Sequence, residues 1–325
     1  MKCLVTGATG FLGSHLVDLL LQEGHEVRCL VRPTSDLRWL KGKRVRLIPG
    51  ALQPNDPGLK EGLIDADWCF HSAGLISTTR PQEYFTVNAG GTRHCLDACL
   101  KTAPRLQRFV LISSVAASGP SPNGNWIDET TPSQPLTHYG QSKLEAERMA
   151  LSYQHKIPVS IIRPPAIYGP RDKMILPVFK LAQRGLFMVP AGRPRYISMA
   201  YVEDVAGACL WAAKSKQAAG EIFFIADGDV YPWQDIADCL AAIFYRKVFK
   251  IPVPKFLLWP VALLEEECCK LLHRSPRVHR GHVRQFFRSW GIHIDKIKRA
   301  GFAPKFNLEA GMQATVAGYR QIGWL

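Results

Sequence analysis

The sequence predicts an α/β fold: a parallel sheet doubly wound by helices, with a smaller region interleaved toward the C-terminus. Three observations predict it. Short apolar runs alternate with longer amphipathic ones over the first two-thirds of the 325 residues, the pattern of successive βαβ units. A glycine-spaced turn, Gly7-x-x-Gly10-x-x-Gly13, separates the first apolar run from the first helical pattern. After Arg163 the texture changes to proline-rich loops and then to a helical, basic tail.

Taken in order, the expected strands are Lys2–Thr6, Glu26–Val31, residues 45–48, Trp68–His71, residues 108–113, Val159–Arg163 and residues 222–225. Helical patterns lie between them at Phe11–Gln22 and 139–154, with a later one at 204–214. In the first, Leu12, Leu16, Leu19 and Leu20 share one face, the spacing of a helix packed on a sheet. The expected division assigns 1–165, joined again by 200–227, to a Rossmann-type nucleotide-binding domain. It assigns 166–199 and 228–325 to a region that caps the substrate. No internal repeat or low-complexity segment interrupts this plan.

The glycine turn has a physical reading at each position. Gly7 permits a tight turn, Gly10 lets backbone amides approach a pyrophosphate, and Gly13 allows close helix–sheet packing. The helix that follows offers unpaired N–H groups and the positive end of its dipole to phosphate.

Bulk composition narrows the rest. With 47% hydrophobic residues, the chain can bury a sizeable core and lacks the signature of disorder. Its formal charge of +14 favours anionic partners and says nothing of fold. Nine scattered cysteines without a C-x-x-C pair read as reduced core residues of a cytoplasmic protein. Met1-Lys2 leads at once into a strand-like run and the glycine turn, so no leader is expected. The most apolar stretch, 251–264, is broken by three prolines and ends at Glu265-Glu266-Glu267, so no membrane span is expected either.

Chemistry is concentrated in two segments. Tyr139 and Lys143, in "HYGQSKLEAER", stand four apart and so share one helix face. An ammonium beside the phenol is expected to lower the Tyr139 pKa and suit it to proton transfer at a carbonyl or alcohol oxygen. Upstream, "RFVLISSVAASG" runs a buried strand into Ser113-Ser114, where hydroxyls face the crevice at the strand ends.

In this combination the chain resembles the extended short-chain dehydrogenases/reductases. The resemblance runs along the whole sequence, from the glycine turn through "FHSAG" (70–74), "VNAGGT" and "IIRPPAIYGPRD" to "GFAPKFNLEAGMQATVAGYRQIGWL". It implies hydride transfer to or from a nicotinamide. Tyr139 would be the general acid/base and Ser114 the holder of the substrate oxygen, with Ser113 in reserve. Lys143 would tune Tyr139 and bind the nicotinamide ribose. Gly7, Thr9, Gly10, Phe11, Leu12 and Gly13 would cradle the dinucleotide, with Ser72, Ala73 and Gly74 along it, and Asn88 and Pro164 near it. "YVEDVAGACLWAA" would open a late helix capped by Asp204. Paired helices in the superfamily imply a homodimer.

Cofactor choice turns on the end of the second strand. An NAD-preferring site of this kind places an acid there for the ribose 2′-hydroxyl. This chain has Val31 and then Arg32, a planar cation suited to a 2′-phosphate. "VRCLVRPTS" resembles the corresponding run of the dihydroflavonol reductase group, which implies NADP(H), with NAD and a ribose contact from Asp36 as the alternative. Where the family often has Gly-Asp-Leu near the adenine, Gly50-Ala51-Leu52 stands here.

Within the branch, the first reading is an oxidoreductase for an apolar sterol-, flavonoid- or keto-lipid-like substrate, related to dihydroflavonol reductases and 3β-hydroxysteroid dehydrogenases. An NAD-dependent nucleotide-sugar epimerase is the alternative, and a non-catalytic NADP-binding sensor the second. Against epimerisation, Val115-Ala116 follows Ser114 in place of Asp-Glu, Ala166 replaces an Asn, and the diphosphate-gripping Arg aligns with Ile197, with Arg195 nearby. Finally, 268–294 lacks any acid but carries Lys270, Arg274, Arg277, Arg280, Arg284 and Arg288. With the apolar 256–264 before it, this reads as a pocket wall followed by a solvated helix. The sharper alternative is a peripheral membrane contact through 256–288. No nucleic-acid module is recognisable, and His273, His279 and His282 read as solvent-facing, not as metal ligands.

Overall fold

A computed structural model describes residues 1–122, 125–272, 274–276 and 278–325. β1 (Lys2–Thr6) runs through the glycine turn into α1 (Phe11–Gln22), and β2 (Glu26–Val31) and β3 (Val45–Pro49) follow. Next come α2 (Pro57–Leu63), β4 (Trp68–His71), α3 (Pro81–Tyr84), α4 (Gly91–Thr102), β5 (Arg108–Ile112), α5 (His138–Ser152) and β6 (Val159–Arg163). These strands and Ile222–Phe224 make one seven-stranded sheet. Its order is Ile222–Phe224, β6, β5, β4, β1, β2, β3, with every pair parallel.

Successive strand residues point to opposite faces, so β1 feeds two cores. Cys3 and Val5 pack with Leu12, Leu16 and Leu20 of α1 and with Val205 and Cys209 of helix Val202–Lys214. Leu4 packs on the other side with Leu59 and Leu63 of α2, Leu96 of α4, and Ala146 and Ala150 of α5. Six of the nine free thiols, Cys3, Cys29, Cys69, Cys95, Cys99 and Cys209, are buried in these layers. Cys69, Cys95 and Cys99 bring their sulfurs within 4.8 Å of one another.

Strand order reverses between β1 and β4, which opens a crevice at the strands' C-terminal ends. The remaining chain covers that end through small strand pairs, such as Ala166–Tyr168 with Met199–Tyr201, and through helices Trp233–Ile243, Lys255–Leu271 and Arg280–Phe286.

Asp204 does not cap its own helix. Tyr201 occupies that position, and the buried Asp204 carboxylate instead accepts the Lys305 and Phe306 amides at 2.8 and 3.0 Å. It therefore ties the late helix to the C-terminal segment. No described helix is long and apolar enough to cross a membrane.

Candidate active site in the strand crevice

β5 ends at Ile112, and the alternation of the strand then sends the two serines apart. Ser113 is buried and donates to Glu147. Glu147 in turn holds Arg163 Nε at 2.8 Å, and Arg163 Nη1 donates to Ser118 Oγ at 2.8 Å. Ser113 is therefore spent beneath the sheet end, and Ser114 is the serine that faces the crevice. Its Oγ also accepts the Ala116 amide at 3.1 Å, which fixes the turn Val115–Ala117.

α5 is pressed onto that turn. Thr137 Oγ1 caps it by accepting the Gly140 N–H at 3.1 Å, and a Cβ on Gly140 would lie 2.2 Å from Ala116 O. Only glycine permits this approach, which brings Tyr139 to the same cavity wall as Ser114. One turn on, Lys143 Nζ is buried and donates to Ile112 O at 2.7 Å.

The electrostatics differ from the expectation. Burial pushes the Tyr139 phenol up to about 12, opposed by the nearby Ser114 hydroxyl. The expected lowering by Lys143 is not seen; its Nζ donates to the Ile112 carbonyl. Burial lowers Lys143 itself to about 8, with Glu147 opposing the shift. Desolvation thus exceeds the charge–charge effect that the i, i+4 spacing suggested.

The expected dinucleotide cradle can be tested glycine by glycine. Gly7 has φ +72°, and a Cβ there would lie 2.6 Å from Ala73 N. A Cβ on Gly13 would lie 2.1 Å from Gly7 O, so α1 packs directly on the turn. Gly10 is exposed, caps α1 without a side-chain bond, and would meet only Gly7 O, at 3.2 Å. Its outer side is open for a phosphate against the first-turn amides of Phe11 and Leu12, with Thr9 alongside, and the residues present fit a pyrophosphate.

The Ser72–Gly74 loop follows β4, and the Ala73 amide donates to Thr6 Oγ1 at 3.3 Å. A Cβ on Gly74 would lie 3.6 Å from Lys143 Nζ and 3.2 Å from Asn88 Oδ1. Asn88 is buried, with both amide hydrogens spent on Leu75 O (3.1 Å) and Ser142 Oγ (2.9 Å), while its oxygen accepts the Leu75 amide. It fastens this loop to α5. Pro164 is buried and accepts the Val115 amide; Pro165, its neighbour, is the proline that lines the crevice cavity.

At the end of β2, Val31 is buried and Arg32 exposed. The Arg32 backbone is held by Ser35. Asp36 is engaged by Arg38, whose Nε lies 2.6 Å from its carboxylate.

Ser114 and Tyr139 sit in the wall of a cavity of about 390 Å³. Apart from His282 and Gln285, its other walls are Val115, Ala116, Pro165, Ala166, Ile175, Ile197, Trp233, Phe286 and Trp290. Val115, Ala116, Ala166 and Ile197 entered the sequence argument only as departures from sugar-nucleotide enzymes. Ile175, Trp233, Phe286 and Trp290 were not marked, because they come from distant loops and helices. Ile197 lines this cavity, whereas the Arg195 guanidinium bonds Phe287 O and Pro194 O outside it.

Two expectations for the tail are corrected. The pocket wall is helix Arg280–Phe286 from the basic segment, not the apolar 256–264, whose large side chains are mostly exposed. His282 lines the cavity, and His279 Nδ1 caps that helix through the Gly281 amide at 3.0 Å, so neither faces solvent as expected. His273 and Arg277 lie outside the described residues.

Comparison with known proteins identifies the family and the fold. The model of the NAD dependent epimerase/dehydratase family matches residues 3–226. A ceramide reductase of Caulobacter vibrioides is 29% identical, over 99% of this chain and 95% of its own. A 3beta-hydroxysteroid-dehydrogenase/decarboxylase of Arabidopsis thaliana is 26% identical, over 98% of this chain and 62% of that longer protein. A UDP-glucose 4-epimerase of Thermotoga maritima, solved with UDP-glucose, superposes with TM-score 0.81 over 99% of both chains at 21% identity, a likeness of fold. The chain belongs to the NAD dependent epimerase/dehydratase family, within the extended short-chain dehydrogenases/reductases, and is an NAD(P)-dependent enzyme.

Proposed function

We propose that the protein is an NADP(H)-dependent oxidoreductase that interconverts a carbonyl and a secondary alcohol on an apolar substrate of sterol, flavonoid or keto-lipid type. The observation that carries this reading is the cavity. Two hydroxyls, those of Ser114 and Tyr139, stand in a wall otherwise built mostly from aliphatic and aromatic side chains. A charged diphosphate placed there would be left unpaired, at a large desolvation cost. The names of two relatives, a ceramide reductase and a hydroxysteroid dehydrogenase, point to the same substrate class.

The nicotinamide, when bound, supplies or accepts the hydride. The chain's own residues hold the oxygen and move the proton. Ser114 Oγ donates to the substrate oxygen and places it beside Tyr139. The phenol, kept neutral by burial, gives its proton to that oxygen during reduction. Lys143 binds the cofactor ribose beside the Gly74 loop. Arg32 would take the 2′-phosphate, which its exposure at the end of β2 and the pairing of Asp36 with Arg38 support.

The test is an NADPH- and NADH-linked screen of ceramide-like keto-lipids, 3-ketosteroids, flavanonols and UDP-sugars, with Tyr139→Phe as control. Expected is NADPH-dependent reduction of an apolar ketone, lowered about a thousandfold in the variant. Interconversion of a UDP-sugar without added cofactor would establish the epimerase instead. Substrate-independent NADPH binding alone would leave a sensor.

A further inference from the structure

Helix Lys255–Leu271 wears its hydrophobic stripe on the outside. Leu257, Val261, Leu264, Cys268 and Leu271 follow one another at spacings of four, three, four and three, so they share one face along the helix. All five are exposed. Leu257, Leu264 and Leu271 are 55%, 65% and 83% accessible, and Phe256 beside them 73%, which makes them free of any core.

Among the acids of the helix, Glu266 lies opposite this face, and Glu265 and Glu267 border it with partners of their own. Glu266 is turned inward onto Arg280, Glu267 pairs with Lys270, and Glu265 accepts the Val278 amide. A helix on a water-facing surface has the opposite arrangement, with polar residues outward. The chain just before it continues the pattern: paired strands Phe249–Val253 and Leu186–Pro190 expose Phe249, Ile251, Leu186 and Met188. Exposed apolar surface on this scale marks an interaction site.

We propose that this face docks on an anionic phospholipid bilayer, with helix Lys255–Leu271 lying in the interface. Charge selects the occupant. Between Arg246 and Arg288 the sequence carries ten Lys and Arg against three Glu. A second copy of the same face would be repelled, whereas anionic headgroups complement it. At the N-terminal end of the helix, Lys255, Arg284, Arg288 and Arg195 surround a cavity of about 400 Å³ with Leu136 and Phe287, and no acid lines it. Four cations around one depression suit a lipid phosphoryl group.

The docked helix is also one layer from the chemistry. It holds helix Arg280–Phe286 through the Glu266–Arg280 ion pair and the Arg284 guanidinium over Trp259, at 5.6 Å. That second helix contributes His282, Gln285 and Phe286 to the cavity. Docking is argued from the face alone; its use, admitting an apolar substrate from the bilayer, rests on the proposed reaction.

The experiment is co-sedimentation of the full chain with phosphatidylcholine vesicles, with and without phosphatidylglycerol, at low and high salt. Expected is binding that requires phosphatidylglycerol and weakens with salt. The double variant Leu257→Glu/Leu264→Glu should lower the partition coefficient about tenfold or more, as should Lys255→Ser/Arg288→Ser. Both leave the melting temperature unchanged, because the side chains are exposed. Failure of the wild type to sediment with anionic vesicles overturns the proposal. So does equal binding by the Leu257→Glu/Leu264→Glu variant, or a wild-type dimer that this variant splits while vesicle binding is absent. None of these readouts uses substrate, so the proposed reaction stands or falls separately.

Discussion

At position 32 an exposed guanidinium follows the buried Val31 at the end of β2, where an acid would serve a ribose hydroxyl. A planar cation there gains charge-assisted bonds to a 2′-phosphate, each worth about 1.5–3 kcal/mol. Arg32→Asp should therefore lower the NADP/NAD ratio of kcat/KM by about 30-fold or more; an unchanged ratio would return Arg32 to solvent. A second consequence lies at Lys143, which burial lowers to about 8. Below that value the ammonium is charged and can hold the ribose; above it the charge is lost. Affinity for NADPH should fall as pH rises through about 8, while Tyr139, near 12, keeps its proton. Fluorescence titration of NADPH from neutral to alkaline pH measures this, and a flat profile would remove the charge of Lys143 from cofactor binding.

Among the elements, the position of α5 depends on two contacts. Gly140 lets its first turn rest on Ala116, and Asn88 ties Ser142 to the loop after β4. Gly140→Ala places a methyl 2.2 Å from a carbonyl oxygen, so the helix must move outward and take Tyr139 from Ser114. A misplacement of this kind lowers kcat on the order of a hundredfold with the far-ultraviolet spectrum preserved; unchanged kcat would show that the turn tolerates the shift. The Tyr139–Lys143 spacing was legible in the sequence, but the approach of α5 to the β5 turn was not. It depends on a glycine whose role appears only when two segments some twenty residues apart meet.

Across the whole molecule, the C-terminal segment is anchored to the sheet layer through Asp204. Its carboxylate satisfies two amides, and burial raises its pKa above the ordinary carboxylate value. Asp204→Ala strands both amides and should lower stability by about 3 kcal/mol, read as a lower urea midpoint, with KM for NADPH unchanged. An unaltered midpoint would mean that water replaces the carboxylate.

By itself the sequence determined the seven-stranded plan, the glycine turn and the Tyr139–Lys143 pair. These are written in local periods, two for strands and near four for helices, which a linear chain displays directly. Expected strands such as Lys2–Thr6 and Glu26–Val31 reappear with the same bounds. The choice of Ser114 over Ser113 was already implied by the resemblance, but what walls the cavity and which side of helix Lys255–Leu271 meets water were decided by tertiary structure alone. Those properties depend on segments far apart in the chain. The same apolar stripe reads identically whether it packs against a core or faces outward, and only the packing of helix Arg280–Phe286 beside it settles the direction.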